Sequence, residues 1–446
     1  MTGLELLLII GLALFFIILL SSVFKLHPFF TLLLVSIGVG LAAGNPMSEV
    51  LEILSAGFGN IVMKIGLIII LGAVLGIILE KSGAIVQIAN IVLKIFGKKR
   101  PVLAMTIIGA IVSIPVFCDS AYIILSSLNK HISIKTKAKR TVLALALATS
   151  LYTTHTLVPP TPGPLAAAEN LGITLYLGLI ILIGLIVSLP TLYIVYRSSI
   201  YFGKKIELQN ELIKNTTIIK KLPSALLSIL PLIVPVFLIS LSSVQIFFEL
   251  NETISSFLKI IGNPVIALLI GIGFATLLFE KWDAAHLSDW LGEGILQAGP
   301  ILIITAAGGA FGAILKAMPL VEHLQSLSMG ENMRGAMLLI VGYIIAAVLK
   351  TAQGSSTSAI IVASSIMATL AVASGASVMD NVLLVMAIGG GAMTVSHAND
   401  SYFWVFSQFT GLAVNDSYRS FTIITFLQGI TVLLASIILS LVMGIW

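Results

Sequence analysis

HTLVPPTPGP, from His155 to Pro164, breaks a chain that is otherwise very apolar. Pro159, Pro160, Pro162 and Gly163 follow one another almost without a gap. Each proline removes a backbone donor and crowds the preceding turn, so no uninterrupted helix passes through this point. The flanking segment, 141–170, is nevertheless long enough to cross a bilayer core. The break therefore lies either in a loop at the membrane surface or in the middle of a crossing.

Composition places the whole chain in the membrane. Of its 446 residues 58% are hydrophobic and 10% charged, against about 25% charged in a soluble domain; the mean hydropathy is +1.12. Leu4–Phe24, Leu171–Tyr196, Ser224–Phe247 and Thr422–Ile445 each approach or exceed the ~20 apolar residues a spanning helix needs. The first run has no basic leader and no small-residue cleavage site, so it reads as a mature helix. Cys118 stands alone, which excludes an intramolecular disulfide. The six histidines show no metal-ligand spacing and no glycine-rich phosphate loop carries a lysine. ATP-driven work, a metal and an organic cofactor are not expected. The net charge of +5 reports sidedness rather than nucleic-acid binding.

The break has a counterpart. GAVLGIILEKSG, starting at Gly72, matches GGAFGAILKAMP, starting at Gly308, and PVFCDSAYIIL (Pro115–Leu125) matches TAQGSSTSAII (Thr351–Ile361) at the same offset of 236 residues. Further on, the sequence around His155 matches that around His397 at an offset of 242. Three weak matches in one order describe a duplicated transporter fold. Each copy then holds two interrupted segments. In the first they are 101–129, broken at SIPVFCDSA, and 141–170; in the second they are 335–370, broken at KTAQGSSTS, and 380–412, broken at SHANDS.

Basic residues orient these segments. KIFGKKR, KHISIKTKAKR and the Arg197–Lys221 loop are placed in the cytoplasm by their charge. Segment 101–129 then enters and leaves on one side as a re-entrant hairpin, whereas 141–170 crosses. The reading gives an all-α polytopic protein of two inverted repeats, each with a hairpin and a broken helix. It predicts about ten crossings plus two hairpins, with both termini outside. All but five of the 24 Lys and Arg residues fall inside; the exceptions are Lys64, Lys259, Lys316, Arg334 and Lys350.

Irregular backbone survives at membrane depth only within protein or beside water, so four paired breaks should meet near the midplane. Half-helix N-termini there suit an anionic group, and free carbonyls and hydroxyls suit substrate hydroxyls or a cation. The candidate residues are Asp119, Ser120 and Tyr122 at the first hairpin, and Thr153, Thr154, His155, Thr156 and Thr161 at the first break. Lys350, Thr351, Gln353, Ser355, Ser356, Thr357 and Ser358 belong to the second hairpin, and Ser396, His397, Asn399, Asp400 and Ser401 to the second break. Asp119, or a His397/Asp400 pair, suits proton uptake, because an ionisable group inside the membrane is costly to keep. His155 also reads as a structural histidine satisfying a freed carbonyl. Lys350 reads either as an ion-pair scaffold or as a carboxylate binder. Glu169 and Asp380, near segment ends, read as solvated, and the glycine runs as close helix packing.

FCDSAYIILS, HTLVPPTPGPLAAAENLG, AQGSSTSA and SHANDSYFW together resemble the gluconate:H⁺ symporter family of permeases. The likeness covers most of the chain and is concentrated in 101–170 and 305–412. It implies a bacterial inner-membrane carrier of small hydroxylated carboxylates such as gluconate, glycerate or D-serine. It also implies a scaffold part, a mobile transport part, elevator-type alternating access and a homodimer in the lipid bilayer, with no nucleic acid. The corresponding division is a first repeat at 1–196 (scaffold 1–60, transport elements 61–170, final helix 171–196) and a linker at 197–223. The second repeat is 224–446 (scaffold 224–281, transport elements 295–412, final helix 421–446). By motif, Asp119, Ser120, His155, Thr156, Ser355, Ser356, Thr357, His397, Asn399 and Asp400 carry over as site residues. Related sugar-acid carriers often have histidine where this chain has Thr161, which marks Thr161 as a candidate for altered specificity.

The resulting expectation is proton-coupled symport, with the substrate carboxylate at half-helix N-termini around Ser355–Thr357 and Thr154–Thr156. The alternatives are a sodium-coupled organic-acid carrier or Na⁺/H⁺ antiporter on the same fold, and a channel or receptor. No nucleophile–base–oxyanion set supports an enzyme.

Overall fold

A computed structural model of the chain describes residues 3–97, 99–206, 222–244, 251–279, 284–318 and 334–444. Most of the expected linker lies outside the described residues. Among those described, every regular element is a helix. The first half runs α1 (Gly3–Ile18), α2 (Pro28–Ala42), α3 (Met47–Lys81), α4 (Ala84–Val92), α5 (Pro101–Val112), α6 (Cys118–Thr136), α7 (Arg140–Leu157), α8 (Pro162–Asn170) and α9 (Leu177–Gly203). The second runs α10 (Ala225–Val244), α11 (Glu252–Ile261), α12 (Pro264–Thr276), α13 (Ala284–Ala317), α14 (Ala336–Gln353), α15 (Ser356–Ala373), α16 (Val378–Met393), α17 (Ser401–Thr410), α18 (Val414–Ser417) and α19 (Ile423–Val442). One order thus occurs twice: a long helix (α3, α13), a hairpin (α5–α6, α14–α15), a broken helix (α7–α8, α16–α17) and a closing helix (α9, α19).

Among the described residues, eight helices are long and apolar enough to cross a membrane, or nine if α11 and α12, bent by 61° at their junction, form one span. The sequence-based figure of about ten also includes the shorter apolar helices α1, α2 and α16, and sets the two arms of α14–α15 aside as a hairpin. Residue 60, an expected division point, falls inside α3, which continues through it without a break.

Local sequence sets the helix ends. Pro28, Pro101, Pro162 and Pro264 occupy first-turn positions, where a missing N–H goes unused. Ser377 and Asp380 form a reciprocal capping box at the start of α16, so the half-buried Asp380 has a structural task. Gly354 and Gly411 close α14 and α17 with left-handed backbone, the usual place for glycine.

Packing follows membrane rules, in which small residues bring helices together. The long helices α3 and α13 pack along each other, and a Cβ on Gly57 would lie 2.9 Å from the Gly309 carbonyl oxygen. At the centre, α7 is buried along its length from Thr141 to Leu157. It is too polar for lipid, but the hydroxyls of Thr149, Ser150, Thr153 and Thr156 donate to carbonyls four residues back. Those bonds let a polar helix sit in a dry core.

Four of the five basic residues outside the inferred cytoplasmic set are engaged within the protein. Lys316 donates to the Asn170 carbonyl (3.3 Å), Arg334 to Ser374 (2.7 Å) and Lys350 to Gly354 (2.8 Å). Each of these carbonyls is at the C-terminal end of a helix, where a cation complements the dipole. Lys64 pairs with Glu169 at 2.8 Å, and Thr174 donates to the same carboxylate at 2.6 Å. Glu169, expected to be solvated, is instead buried. The reason is that α8 ends between neighbouring helices that bring it a lysine and a hydroxyl.

Candidate functional site

The four breaks meet around one cavity of about 360 Å³. The first hairpin contributes Phe117–Ser120, and α7 contributes Tyr152 and His155. The second hairpin contributes Gly354–Ser358, and the second break Asp400–Tyr402. Gln297 and Pro300 of α13, with Ile301 and Ile304, form the remaining wall.

Three helices begin at this cavity. α6 starts at Cys118 with no side chain capping its N-terminus. α15 starts at Ser356, and the Ser355 hydroxyl accepts a bond from the Ser358 amide at 3.2 Å. α17 starts at Ser401, with Asp400 accepting from the Tyr402 amide at 3.0 Å. First-turn N–H groups have no acceptor within their own helix, and the dipole end is positive. The cavity is therefore suited to an anion. α7 presents the opposite end: Thr154–Thr156 lie in its last turn, not at an N-terminus. The expectation of a carboxylate held by an N-terminus at Thr154–Thr156 is corrected accordingly, because the helix continues to Leu157 before it breaks.

The second repeat's half of the site is closed by polar bonds. The Lys350 ammonium donates to Asp400 (2.5 Å) and to the Gly354 carbonyl (2.8 Å), with both charged side chains buried. Ser396 also donates to Asp400. Asn399 donates to the Thr351 and Ala352 carbonyls at 2.7 and 3.1 Å, and His397 Nε2 lies 3.0 Å from the Thr351 carbonyl. The hairpin tip and the second break are thus fastened together. The expected His397/Asp400 side-chain pair is not formed: Lys350, on the facing hairpin, takes the carboxylate, and His397 turns to a backbone oxygen. Lys350 acts as scaffold here, behind the cavity wall rather than in it.

Gln353 Oε1 and Asn399 Oδ1, outside the cavity lining, are buried without a hydrogen-bond partner among the described residues, and the first repeat's half carries such groups at the cavity itself. Asp119 Oδ1, Thr154 Oγ1 and His155 Nδ1 are buried with no hydrogen-bond partner among the described residues. Where the second copy has Lys350 and Asp400, the offsets of 236 and 242 place Ile114 and Val158. No equivalent ion pair can form.

Of the other candidates, Ser120, Ser355, Ser356, Thr357, Ser358 and Ser401 line the cavity. Thr156 bonds back within α7, Tyr122 bonds to Thr410 at 2.5 Å, and Thr153 accepts from Gln428 at 2.6 Å, all away from the cavity. Thr161 stands at the N-cap position of α8 without a side-chain capping bond, and its hydroxyl donates to the Val158 carbonyl at 2.5 Å. Because Thr161 is absent from the lining, Thr161→Val is expected to lower stability by about 1 kcal/mol. It should leave the ratio of uptake rates for different acids unchanged, which transport assays with paired substrates check. Tyr152, Tyr402 and Gln297 line the cavity and were not legible beforehand. The two tyrosines adjoin candidate motifs, whereas Gln297 and Pro300 lie in an unbroken helix that gives no such signal.

A sequence profile of the GntP family of permeases matches residues 5–442. The chain belongs to the GntP permease family. It is accordingly a membrane transporter and not an enzyme. An inner membrane permease of Escherichia coli K12, YgbN, is 30% identical over 91% of this chain and 92% of its own length. A gluconate permease of Zymomonas mobilis is 31% identical over 94% of both chains. The crystal structure of the Alcanivorax borkumensis YdaH transporter, noted for an unusual topology, superposes with a TM-score of 0.66 at 13% identity, covering 94% of this chain and 99% of that one. That likeness extends to the fold. Within the GntP fold, the duplicated breaks are the elements that build the cavity.

Proposed function

We propose that this GntP permease is a proton-coupled symporter of a small hydroxylated carboxylate in the gluconate class, working by alternating access of an elevator type. The observation that carries the reading is the convergence of three helix N-termini on a cavity whose one acid without a cationic partner is Asp119. Gluconate permeases among the relatives support the substrate class. The carboxylate is held at the start of α15 by amides and the hydroxyls of Ser355, Ser356 and Thr357. Ser120, Ser401 and His155 offer polar contacts to substrate hydroxyls.

Asp119 is the proton acceptor in this reading, since Asp400 is already neutralised by Lys350. An anion entering beside Asp119 favours its protonated form, because like charges at short range disfavour ionisation. One bound anion thereby draws in one proton. Net use of the membrane potential, worth ~2.3 kcal/mol per charge per 100 mV, needs more than one proton for a monoanion.

The test is gluconate-driven proton uptake in sodium-free proteoliposomes. Wild-type protein should accumulate gluconate and alkalinise the exterior. Asp119→Asn should retain at most a few per cent of the coupled proton flux. Undiminished coupling in that variant removes Asp119 from the role, and a strict sodium requirement replaces the proton reading with the sodium-coupled one.

A further inference from the structure

Two of the five basic residues that fall outside the basic loops, Lys64 and Lys259, line one cavity of about 470 Å³. It shares no lining residue with the cavity built by the four breaks. α3 supplies Lys64, the turn before α9 supplies Leu175, and the end of α10 supplies Ile239 and Ser242. The α11–α12 junction completes it with Asn263 and Pro264. Gly262 lets that junction close on α10, since a Cβ there would lie 2.6 Å from the Leu238 carbonyl oxygen.

Among the described residues, the lining holds two ammonium groups and no carboxylate. Lys64 gives a proton to Glu169, but its side chain is 48% exposed and an ammonium has three donors. Lys259 is exposed and has no ion-pair partner among the described residues. Glu252, the acid of the same helix, stands two turns away in the first turn of α11. α12 starts at the cavity, with Asn263 accepting from the Val265 amide at 3.0 Å, so a positive helix end adds to the two lysines. The surroundings are those of a lipid interface. No residue of α11 is buried, and Ile254, Phe257 and Ile260 are 52%, 60% and 62% exposed. An amphipathic helix bent by 61° from its spanning neighbour suits the plane of the bilayer surface. Leu175, at the cavity rim, is 86% exposed.

We propose that this cavity binds an anionic phospholipid, with the phosphate held by Lys64 and Lys259 and acyl chain against Ile68, Leu175 and Val265. Basic pockets between spanning helices recognise acidic headgroups in this way. A free, hydroxylated anion matches the site less well, because much of the lining is aliphatic and offers it no hydrogen bonds. A lipid phosphate also explains two lysines at the end of α10 remote from the 197–223 linker, where the charge bias of the loops does not place them. The elements around the cavity come from both copies, α3 from the first and α10 to α12 from the second, so a bound lipid braces the seam between them.

The experiment titrates delipidated full-length protein in neutral detergent with dioleoyl phosphatidylglycerol and, separately, dioleoyl phosphatidylcholine, and follows thermal unfolding. Wild-type protein should prefer phosphatidylglycerol, and Lys259→Gln should cut that preference about fivefold. Lys259 is exposed, so the lipid-free unfolding temperature of the variant should match that of wild type. Lys259→Arg should keep the preference, and so should Lys94→Gln, which removes a lysine of a basic loop. Equal binding of the two lipids by wild-type protein overturns the proposal. So does a preference that survives Lys259→Gln, or one that Lys94→Gln reduces as much. Inorganic phosphate that stabilises the protein as strongly as phosphatidylglycerol would show a site for soluble anions instead. A lower gluconate affinity in Lys259→Gln would make the cavity a vestibule for the transported solute, and either result overturns the lipid assignment.

Discussion

Lys350→Met is expected to destabilise the protein by roughly 3–5 kcal/mol, the range found when one member of a buried ion pair is removed. The Lys350 and Asp400 side chains are 1% and 5% exposed, so water cannot take the place of the lost ammonium. Asp400 would keep the Ser396 hydroxyl and the Tyr402 amide. Those two bonds do not neutralise a carboxylate at membrane depth. The Gly354 carbonyl would also lose its donor, which loosens the α14 end. Thermal unfolding in detergent measures the loss. Lys350→Met combined with Asp400→Asn should recover most of it, because the asparagine still accepts from Tyr402 and no charge is left unpaired. A double variant as unstable as the single one would show that packing around the lysine stem, rather than charge compensation, holds this region.

Gly354→Ala is expected to be the next most damaging change, at about 2–4 kcal/mol. Gly354 has φ +78°, a conformation that alanine adopts only under strain. An added Cβ would also collide with the backbone oxygen of Asn399. That oxygen cannot retreat, since the Asn399 side chain is tied to Thr351 and Ala352. The result should be separation of the second hairpin tip from the second break. Two readouts identify this cause: a fall in unfolding temperature, and a loss of gluconate affinity larger than that of Thr161→Val. A variant with wild-type affinity would show that the tip can shift without disturbing the cavity.

Much of this architecture was legible because prolines, glycines and cations report backbone constraints directly. Pro115, Pro159 and Pro160 announce interruptions wherever tertiary structure places them, and repetition at a nearly constant offset shows that the interruptions come in pairs. Helix polarity at a break was harder to read. His155 sits in the last turn of α7, and nothing before Val158 says whether Thr154–Thr156 end one helix or begin the next. Partner choice was harder still. His397 is three residues from Asp400, but the nearer neighbour in space is Lys350, fifty positions away on another helix. Charge near charge in sequence is a weak guide where a hairpin folds back. Gln297 illustrates a third limit, since a cavity wall made by a regular helix leaves no mark on the local pattern.

The uneven distribution of charge between the two halves has a consequence for the ancestry of the fold. A chimera built from two first copies would face Asp119 against a second Asp119, with no lysine at either tip. One built from two second copies would hold two internally neutral clamps and no free acid. The two copies are therefore not interchangeable: the second carries the buried Lys350–Asp400 ion pair, and the first carries Asp119 with no cation at its hairpin tip.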